Sequence, residues 1–476
     1  MAKTRLKLFC GLSFLLISFA ALAGGGKTGE KKHDIKITLV GFHNTVSYLG
    51  CQYGENTYIF DTAKIDDKGN LEFSGPKELD GGIYFVVSAD KRKLFEFIID
   101  KEQKFSIKVD TTDYIKSMRI VGSEENDLFY QFQQHATEKH EELEKLQKQA
   151  KDGPDKEQAK QKIDTLDAQM KRYRTDFMTK HSGLLLVKLL KAADEPEIPP
   201  APKLANGKTD STFAFRYYKA HFFDAVDFSE GRLIRSPVFY PKIEQYLKNL
   251  TVPSPDSVIV AVDYLIEKSK ANKEMFKFMV AYLIYKYEAS EIMGMDAVFV
   301  HIAKKYYTPD QAYWSSASQI EKVQERASLL APILIGKHVP QLVLPDTNNV
   351  MQPLDSVRAR FTVVYFWDYD CGHCQKETPK LIKWYDSIKG EGVEVYAVEI
   401  NEANLVKWKE YIRKHNLDWI NVSDIFHTSN FHHDFDVQTT PMIYVLNEDK
   451  MIIAKKIDVE DLNKVLKHYM EKGSGK

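Results

Sequence analysis

Three patterns of hydrophobic and polar residues follow one another along the chain and divide it into three regions. In the first region, residues 34–121, apolar and polar residues alternate, as at 35–39 and 105–109. Turn residues such as those at 67–70 separate these short segments. Alternation over short segments with frequent turns is typical of antiparallel strands. We predict an antiparallel β-sandwich or half-barrel here. It shows no catalytic constellation, so we interpret it as an interaction or assembly module.

The second region, residues 122–334, has apolar residues spaced three and four apart, which is the period of a helix. Two charged helical stretches at 125–181, interrupted at 152–155, predict an antiparallel helical hairpin. Its charged faces are most simply solvent-exposed, with a partner-binding coiled coil as the alternative. A proline-rich polar loop at 194–211 follows. Residues 213–334 then predict a helical bundle, which completes an all-helical middle domain.

The third region, residues 335–476, alternates between strand and helix patterns. Strands are predicted at 341–344, 362–366, 393–400, 442–446 and 452–456. Helices are predicted at 375–388, 404–415 and 459–471. Such alternation builds a mainly parallel sheet with helices on both faces. The predicted fold class is therefore multidomain α+β, with a C-terminal α/β domain.

A pair of cysteines lies where a strand leads into a helix of this last region. The apolar run at 361–367 precedes Cys371-Gly-His-Cys374, and the predicted helix follows it. We expect Cys371 in the first turn of that helix, where exposed N–H groups and the helix dipole stabilise a thiolate. Cysteines at i and i+3 lie on one helix face and can close a disulfide. The pattern predicts a dithiol redox site.

The start of the chain is typical of a secretory signal peptide. Basic residues at 3–7 precede an apolar stretch at 8–22, and a small-x-small cleavage site ends at Ala23. A retained N-terminal anchor is the alternative. Residues 24–33 then form a flexible leader. We expect an exported protein in the periplasm or cell envelope.

Removal of the signal segment leaves Cys51, Cys371 and Cys374. Because Cys371 and Cys374 pair locally, Cys51 has no evident partner. We interpret it as a buried free thiol in a strand, with a redox or intermolecular role as the alternative. The 66 basic and 67 acidic residues nearly cancel, so the composition gives no reason to expect nucleic acid as a partner.

Several motifs of the last region together resemble one family. An entry segment at 335–340 leads into Leu-Val-Leu-Pro-Asp at 342–346, and an aromatic pair stands at 366–367. The signature Cys-x-x-Cys-x-x-Glu-x-Pro covers 371–379, and Thr-Pro-Met-Ile covers 440–443. The region resembles the thioredoxin fold and, within it, the TlpA/ResA-like family of exported thiol–disulfide oxidoreductases. The first two regions resemble modules found ahead of such domains in bacterial envelope proteins.

The resemblance implies roles for individual residues. Cys371 would be the attacking thiolate and Cys374 the resolving thiol. Pro441 would adopt a cis peptide bond and place the Thr440 backbone beside the disulfide, where a substrate chain can add a strand. The redox-active disulfide Cys371–Cys374 would need no cofactor and no metal. The residues expected to bind substrate are Trp367, Thr440 and Met442.

Three side chains near the cysteines are expected to adjust the redox chemistry. His373 would favour the Cys371 thiolate, and Gly-His is the dipeptide of protein disulfide isomerases. Asp370, where thioredoxins carry tryptophan, and Asp368 disfavour a thiolate. The direction of electron flow therefore stays open between a reductase and an oxidase or isomerase.

Proton removal from Cys374 needs a base other than the one thioredoxins use. Thioredoxin's buried acid corresponds to Tyr365 here, which cannot serve as a carboxylate. Glu399, at the end of a predicted strand, is the first candidate and Glu377 the second. The alternative for both is a surface or helix-capping carboxylate.

Three other functions compete with disulfide exchange. A thiol peroxidase needs a threonine three residues before its reactive cysteine, and Asp368 occupies that position. A docking protein with a vestigial redox site is the structural alternative. A zinc site is the third, with ligands drawn from Cys371, His373, Cys374, His427, His432 and His433. Our interpretation is exchange with protein substrates, coupled to a second dithiol protein for which a membrane-embedded partner is one candidate.

Overall fold

The computed structural model describes residues 31–152, 156–401 and 404–473. The predicted signal peptide, and the predicted leader up to residue 30, lie outside these residues. Contacts between residues divide the chain into two compact units. Within the described residues, one unit comprises 31–251 and 266–278, and the other comprises 252–265 and 279–473.

Eight strands form the N-terminal part of the first unit. They are β1 (His33–Val40), β2 (Thr45–Tyr53), β3 (Asn56–Ile65), β4 (Asn70–Gly75), β5 (Gly82–Ser88), β6 (Lys93–Ile99), β7 (Lys104–Asp110) and β8 (Arg119–Val121). They make two four-stranded sheets, β4-β1-β7-β8 and β3-β2-β5-β6. The rings of Phe97 on β6 and Phe105 on β7 meet edge to face at 5.8 Å between centroids, so the sheets pack on each other. The β-sandwich-like module is confirmed.

Two details of the β module differ from the prediction. β1 begins at His33, so the end of the predicted leader is already strand. β1 also pairs in parallel with β7, with Asp34 opposite Lys104, so the module is not wholly antiparallel. Alternation specifies which face of a strand is buried, but it leaves the direction of the neighbouring strand open.

Helices follow the β module and confirm the helical middle of the chain. The helices that begin in the first unit are α1 (Glu124–Asp152), α2 (Lys156–Lys180), α3 (Leu185–Ala192), α4 (Phe213–His221) and α5 (Phe239–Asn249). In α1 and α2, the rings of Phe132 and Tyr173 stack at 5.9 Å, as expected for the hairpin. Two further helices, α6 (Pro255–Ser269) and α7 (Lys273–Glu288), contribute residues to both units.

The second unit contains helices α8 and α9 and the C-terminal α/β domain. Its elements are α8 (Asp296–Tyr306), α9 (Ala317–Leu330), β9 (Val343–Pro345), β10 (Met351–Pro353), β11 (Phe361–Trp367), α10 (Cys374–Ile388), β12 (Val393–Glu399), α11 (Leu405–His415), β13 (Ile420–Ser423), α12 (Phe431–Asp434), β14 (Met442–Asn447), β15 (Ile452–Lys455) and α13 (Leu462–Gly473). The five-stranded sheet has the order β13-β12-β11-β14-β15. This is the thioredoxin-like α/β fold that the sequence predicted.

The sheet is mixed rather than mainly parallel. β11, β12 and β13 pair in parallel, whereas β14 is antiparallel to both β11 and β15. The short link between β14 and β15 allows only antiparallel pairing, because a parallel pair needs a long crossover. β13 is a strand that the sequence analysis did not predict, although β15, which is also four residues long, was predicted.

β11 carries the site and is the central strand of the sheet. All seven of its residues are buried, which explains its continuous apolar sequence. Leu381 and Trp384 of α10 join the same core. In the part of the chain that the structure describes, no helix is long and apolar enough to cross a membrane.

Candidate active site

The two cysteines lie at the junction of β11 and α10, but in different environments. The helix begins at Cys374, and His373 is its N-cap residue. Cys371 therefore precedes the helix rather than lying in its first turn as predicted, although its carbonyl accepts a hydrogen bond from the Gln375 N–H at 2.9 Å. Cys371 is partly exposed, whereas Cys374 is fully buried. Both are free thiols.

The thiol of Cys371 faces the segment that contains Pro441. Its Sγ lies 3.7 Å from the Thr440 carbonyl, to which the thiol donates. The Thr440–Pro441 peptide bond is cis, as the resemblance implied. Burial raises the pKa of Cys371, but hydrogen bonds with Cys374, the Thr440 side chain and the His373 backbone outweigh burial and lower that pKa overall. Cys371 is thus the thiol that ionises more readily.

Cys374 has the opposite character. Burial raises the pKa of its thiol to about 12, despite a hydrogen bond from the backbone N–H of Asp368 at 3.5 Å. A buried thiol with a raised pKa stays unreactive until a mixed disulfide has formed at the neighbouring cysteine. This asymmetry is what a pair of attacking and resolving cysteines requires.

Glu399 is buried behind the loop that carries Cys371. The interpretation of Glu399 as a surface carboxylate is wrong, because its side chain has 0% exposure. Its carboxylate accepts from the backbone N–H groups of Tyr369 at 3.1 Å and Asn401 at 2.9 Å. Burial, together with the nearby Asp368 charge, raises the pKa of Glu399 to about 8. Its hydrogen bonds contact the loop, so its role as the base for Cys374 stays a prediction.

Asn401 is a residue of this site that the sequence reading missed. Its side-chain amide donates to the Asp368 carboxylate at 3.3 Å, and its backbone N–H donates to Glu399. The strand pattern could have indicated Asn401, because Trp367 and Glu399 end neighbouring parallel strands. Residues that follow such ends meet at one edge of the sheet.

The other acid candidate, Glu377, lies on α10. Its carboxylate pairs with Lys380 at 2.8 Å, an interaction along the helix surface. Tyr365, in the position of thioredoxin's buried acid, shares a hydrogen bond of 3.0 Å with the Thr378 hydroxyl. Its phenol therefore has a local partner within the core.

His373 and Asp370 are both exposed. They were expected to have opposite effects on the Cys371 thiolate. Asp368 is half-buried, and its carboxylate accepts from the Asp370 N–H at 2.8 Å. Part of the Asp368 charge is therefore engaged with the backbone of its own loop.

Of the residues predicted to bind substrate, Thr440 is half-buried, and Trp367 and Met442 are buried. Thr440 and Pro441 are half-buried and border Cys371. Trp367 and Met442 are only 1% and 6% exposed, so they offer a substrate little side-chain surface, and their role as substrate contacts stays a prediction. Trp367 ends the buried strand β11 and stacks on Tyr365 at 6.1 Å, which places it in the core.

The histidines proposed as zinc ligands lie in and around α12. His432 and His433 are in this short helix, and His427 lies in the loop before it. Within residues 31–152, 156–401 and 404–473, no group of three or more His, Cys, Asp or Glu side chains is arranged to hold a metal ion.

Family comparisons agree with the fold. Residues 335–455 match the model of the AhpC/TSA family. Two models described as domains of unknown function, DUF4369 and DUF5106, match residues 33–129 and 151–330. The chain therefore carries at its C-terminus an AhpC/TSA thioredoxin-like domain that is homologous to ResA thiol–disulfide oxidoreductases.

Individual relatives cover this domain. The thiol-disulfide oxidoreductase ResA of Bacillus subtilis is 25% identical over 118 residues, which are 25% of this chain and 64% of that protein. ResA of a Bacillus cereus strain is 24% identical over 138 residues, 29% of this chain and 78% of that protein. The chain thus spans somewhat less than two thirds of the B. subtilis relative.

Solved structures also resemble parts of the chain. A domain of a possible thiol-disulfide isomerase from Cytophaga hutchinsonii is 39% identical, with a TM-score of 0.29, and the match covers 31% of this chain and 99% of that one. A thioredoxin-like protein from Bacteroides caccae is 15% identical, with a TM-score of 0.43, over 57% of this chain and 99% of that one.

The opposite pKa shifts predict selective labelling of the cysteines. With iodoacetamide on the reduced protein at pH 7, we expect Cys371 to react at least about tenfold faster than Cys51 or Cys374, because only thiolates react. Burial raises the pKa of Cys51 to about 11, so Cys51 is a control within the same chain. Peptide mass spectrometry measures each rate. Equal rates for Cys371 and Cys51 would contradict the assignment.

The raised pKa of Glu399 predicts a pH-dependent stability. Its folded pKa of about 8 exceeds the unfolded value near 4.5, so its contribution is full below pH 4.5 and declines as the pH rises to about 8. Glu399→Gln removes this dependence. Urea unfolding should show that the stability of the variant relative to the wild type rises by at least about 1 kcal/mol between pH 5 and pH 9. Glu377→Gln is the control, and an equal gain in it would refute the explanation.

Proposed function

We propose that this protein is an exported thiol–disulfide oxidoreductase that exchanges disulfides with protein substrates through Cys371 and Cys374. The observation that supports this most is the difference between the two thiols. Cys371 is accessible and has a lowered pKa, whereas Cys374 is buried and has a pKa of about 12. Homology of the domain to ResA proteins supports the same class of chemistry.

The exchange can be written so that atoms and electrons balance. The Cys371 thiolate attacks one sulfur of a substrate disulfide, forms a mixed disulfide and releases a substrate thiolate. Cys374 then loses its proton and attacks the Cys371 sulfur, which releases the second substrate thiolate. The substrate gains two electrons and the Cys371–Cys374 pair loses two. The reverse sequence oxidises a substrate dithiol.

Substrate would bind along the Thr440–Pro441 segment. The Thr440 carbonyl is 3.7 Å from the Cys371 sulfur, so a chain that pairs with this backbone lies beside the reacting atom. Backbone hydrogen bonds of this kind hold extended peptides with little dependence on their sequence. This suits an enzyme that acts on several protein substrates.

The second step needs a group that accepts the Cys374 proton. Glu399 remains our first candidate, because a carboxyl group with a pKa of about 8 is suited to proton transfer near neutral pH. Glu377 is the second candidate, and its ion pair with Lys380 weakens it as a base.

The cellular setting is part of the proposal. The signal-like segment at 1–23 supports export to the periplasm or cell envelope. We propose no bound cofactor, since the disulfide itself carries the two electrons. Turnover then requires a second dithiol protein as redox partner, with a membrane-embedded protein as one candidate.

Cysteine replacements test the proposal directly. With the full chain and a model disulfide protein, Cys371→Ser should abolish exchange, because no attacking thiolate remains. Cys374→Ser should accumulate a mixed disulfide that dithiothreitol releases, seen as a mass shift. Cys51→Ser is the matched control and should keep full activity. If both Cys371→Ser and Cys374→Ser stayed fully active, the enzyme assignment would fail, and a docking role would replace it.

The reduction potential decides the direction of electron flow. In a glutathione series, a value near about −180 mV would indicate oxidation or isomerisation, and one near about −270 mV would indicate reduction. Asp370→Asn should make the potential less negative by about 10–20 mV, because it removes a negative charge beside the thiolate. His373→Ala should shift it the other way. Shifts of the same sign would contradict the assigned opposition.

A further inference from the structure

Four consecutive backbone N–H groups in the loop between β11 and α10 have hydrogen-bond acceptors, and one of these acceptors is a sulfur. The N–H of Asp368 donates to the Cys374 sulfur at 3.5 Å. The next N–H, that of Tyr369, donates to the Glu399 carboxylate at 3.1 Å. The start of the loop is therefore bonded both to the resolving cysteine and to the end of β12.

The other two N–H groups turn back onto Asp368. The N–H of Asp370 donates to the Asp368 carboxylate at 2.8 Å, and that of Cys371 donates to the Asp368 carbonyl at 3.2 Å. An aspartate that binds the backbone N–H two residues ahead closes a compact turn. Asp368 thus fixes the loop with its side chain and its carbonyl, while its own N–H contacts the resolving cysteine.

Asn401 anchors this turn from the neighbouring strand end. Its side-chain amide donates to Asp368 Oδ1 at 3.3 Å, and this is the same oxygen that closes the turn. Its backbone N–H donates to Glu399 at 2.9 Å, and the N–H of Ile400 donates to the Trp367 carbonyl at 2.9 Å. Asn401 is therefore fixed to the sheet and can hold the Asp368 carboxylate in place.

A donor aimed at Cys374 favours the form of this residue that reacts. A thiolate accepts a hydrogen bond from an N–H group more strongly than a thiol does, so the Asp368 N–H stabilises the thiolate. Burial opposes the thiolate and raises the pKa of Cys374 to about 12. Because this pKa is far above neutral pH, the small fraction of thiolate limits the rate at which Cys374 attacks.

We propose that Asn401, acting through the Asp368 carboxylate, is a positioning residue that holds the Asp368 N–H against the Cys374 sulfur and speeds resolution of the mixed disulfide. This inference rests on the proposed function. It gives Asp368 two opposite effects, because its charge disfavours a thiolate whereas the position of its N–H favours one.

The two steps of exchange can be timed separately in the full chain. A limiting amount of dithiobisnitrobenzoate is mixed with the reduced protein in a stopped-flow instrument. Attack by Cys371 releases a first nitrothiobenzoate and leaves a mixed disulfide. Cys374 then loses its proton, attacks the Cys371 sulfur and releases a second nitrothiobenzoate, so the reagent gains two electrons and the cysteine pair loses two. The first rate is proportional to protein concentration, and the second is independent of it.

Asn401→Ala should slow the second phase about three- to tenfold and leave the first phase within about twofold of the wild type. A hydrogen bond to a charged group changes an ionisation equilibrium by at least about tenfold, and the rate follows by roughly the square root, since a less basic thiolate is a weaker nucleophile. Gln352→Ala is the matched control. It removes an amide–carboxylate hydrogen bond of 3.1 Å to Asp346 in the same unit, and both phases should stay unchanged.

Two substitutions at Asp368 separate position from charge. Asp368→Asn and Asp368→Ala both remove the negative charge, but only asparagine keeps an oxygen that can accept from Asp370 and Asn401. The second phase of Asp368→Ala should therefore be at least about threefold slower than that of Asp368→Asn. An effect of charge alone would give the two variants the same rate.

The outcomes separate this inference from the proposed function. An unchanged second phase in Asn401→Ala, equal slowing of both phases, equal slowing in Gln352→Ala, or equal rates for the two Asp368 variants would overturn the positioning role. Absence of a second phase in the wild-type protein would overturn the proposed function, and this inference with it. If Asn401→Ala does not fold, Asn401→Asp carries the test, because it places a carboxylate against that of Asp368 and should slow the second phase by a similar factor.

Discussion

The site depends on the unequal solvation of two thiols that lie only three residues apart. Burial acts against ionisation of both, but Cys371 has enough hydrogen-bond partners to reverse the effect, and Cys374 does not. The cause is where the helix begins. α10 starts at Cys374 and places that side chain in the core, while Cys371 stays in the loop at the edge. One thiol can therefore meet a partner, and the other can act only after the first has reacted.

Local pattern predicted much of this arrangement. The buried run of β11 and the spacing of Cys371 and Cys374 are local features, and the strand, the loop and the helix follow from them. Prediction from the sequence fails where one local pattern is compatible with two structures. The alternation in β1 fits a parallel or an antiparallel neighbour, and the structure has both, β7 and β4. The four-residue strand β13 was not predicted, whereas β15 of the same length was, so strand length alone does not account for the difference.

Side chains brought together by topology were harder to predict. The sequence places Glu399 at the end of a strand, where carboxylates are commonly exposed. Its side chain is nevertheless fully buried. It becomes buried because β11 and β12 end side by side and the loop from Asp368 closes over that edge. Trp367 shows the same difference: an aromatic residue next to a reactive motif suggests a binding surface, but it ends a central strand whose residues are all buried.

The same reasoning changes how the middle region is understood. A helical region ahead of a catalytic domain is most simply a spacer, and its sequence gives no other indication. Its α9, however, supplies Arg326 to the carboxylate of Asp436. The burial of this carboxylate would be unfavourable without a positive partner. The thioredoxin-like domain alone would keep Lys456 near Asp436, but it would lack the contact of Arg326 with both carboxylate oxygens. A helix outside the thioredoxin-like domain therefore compensates a charge that is buried inside it.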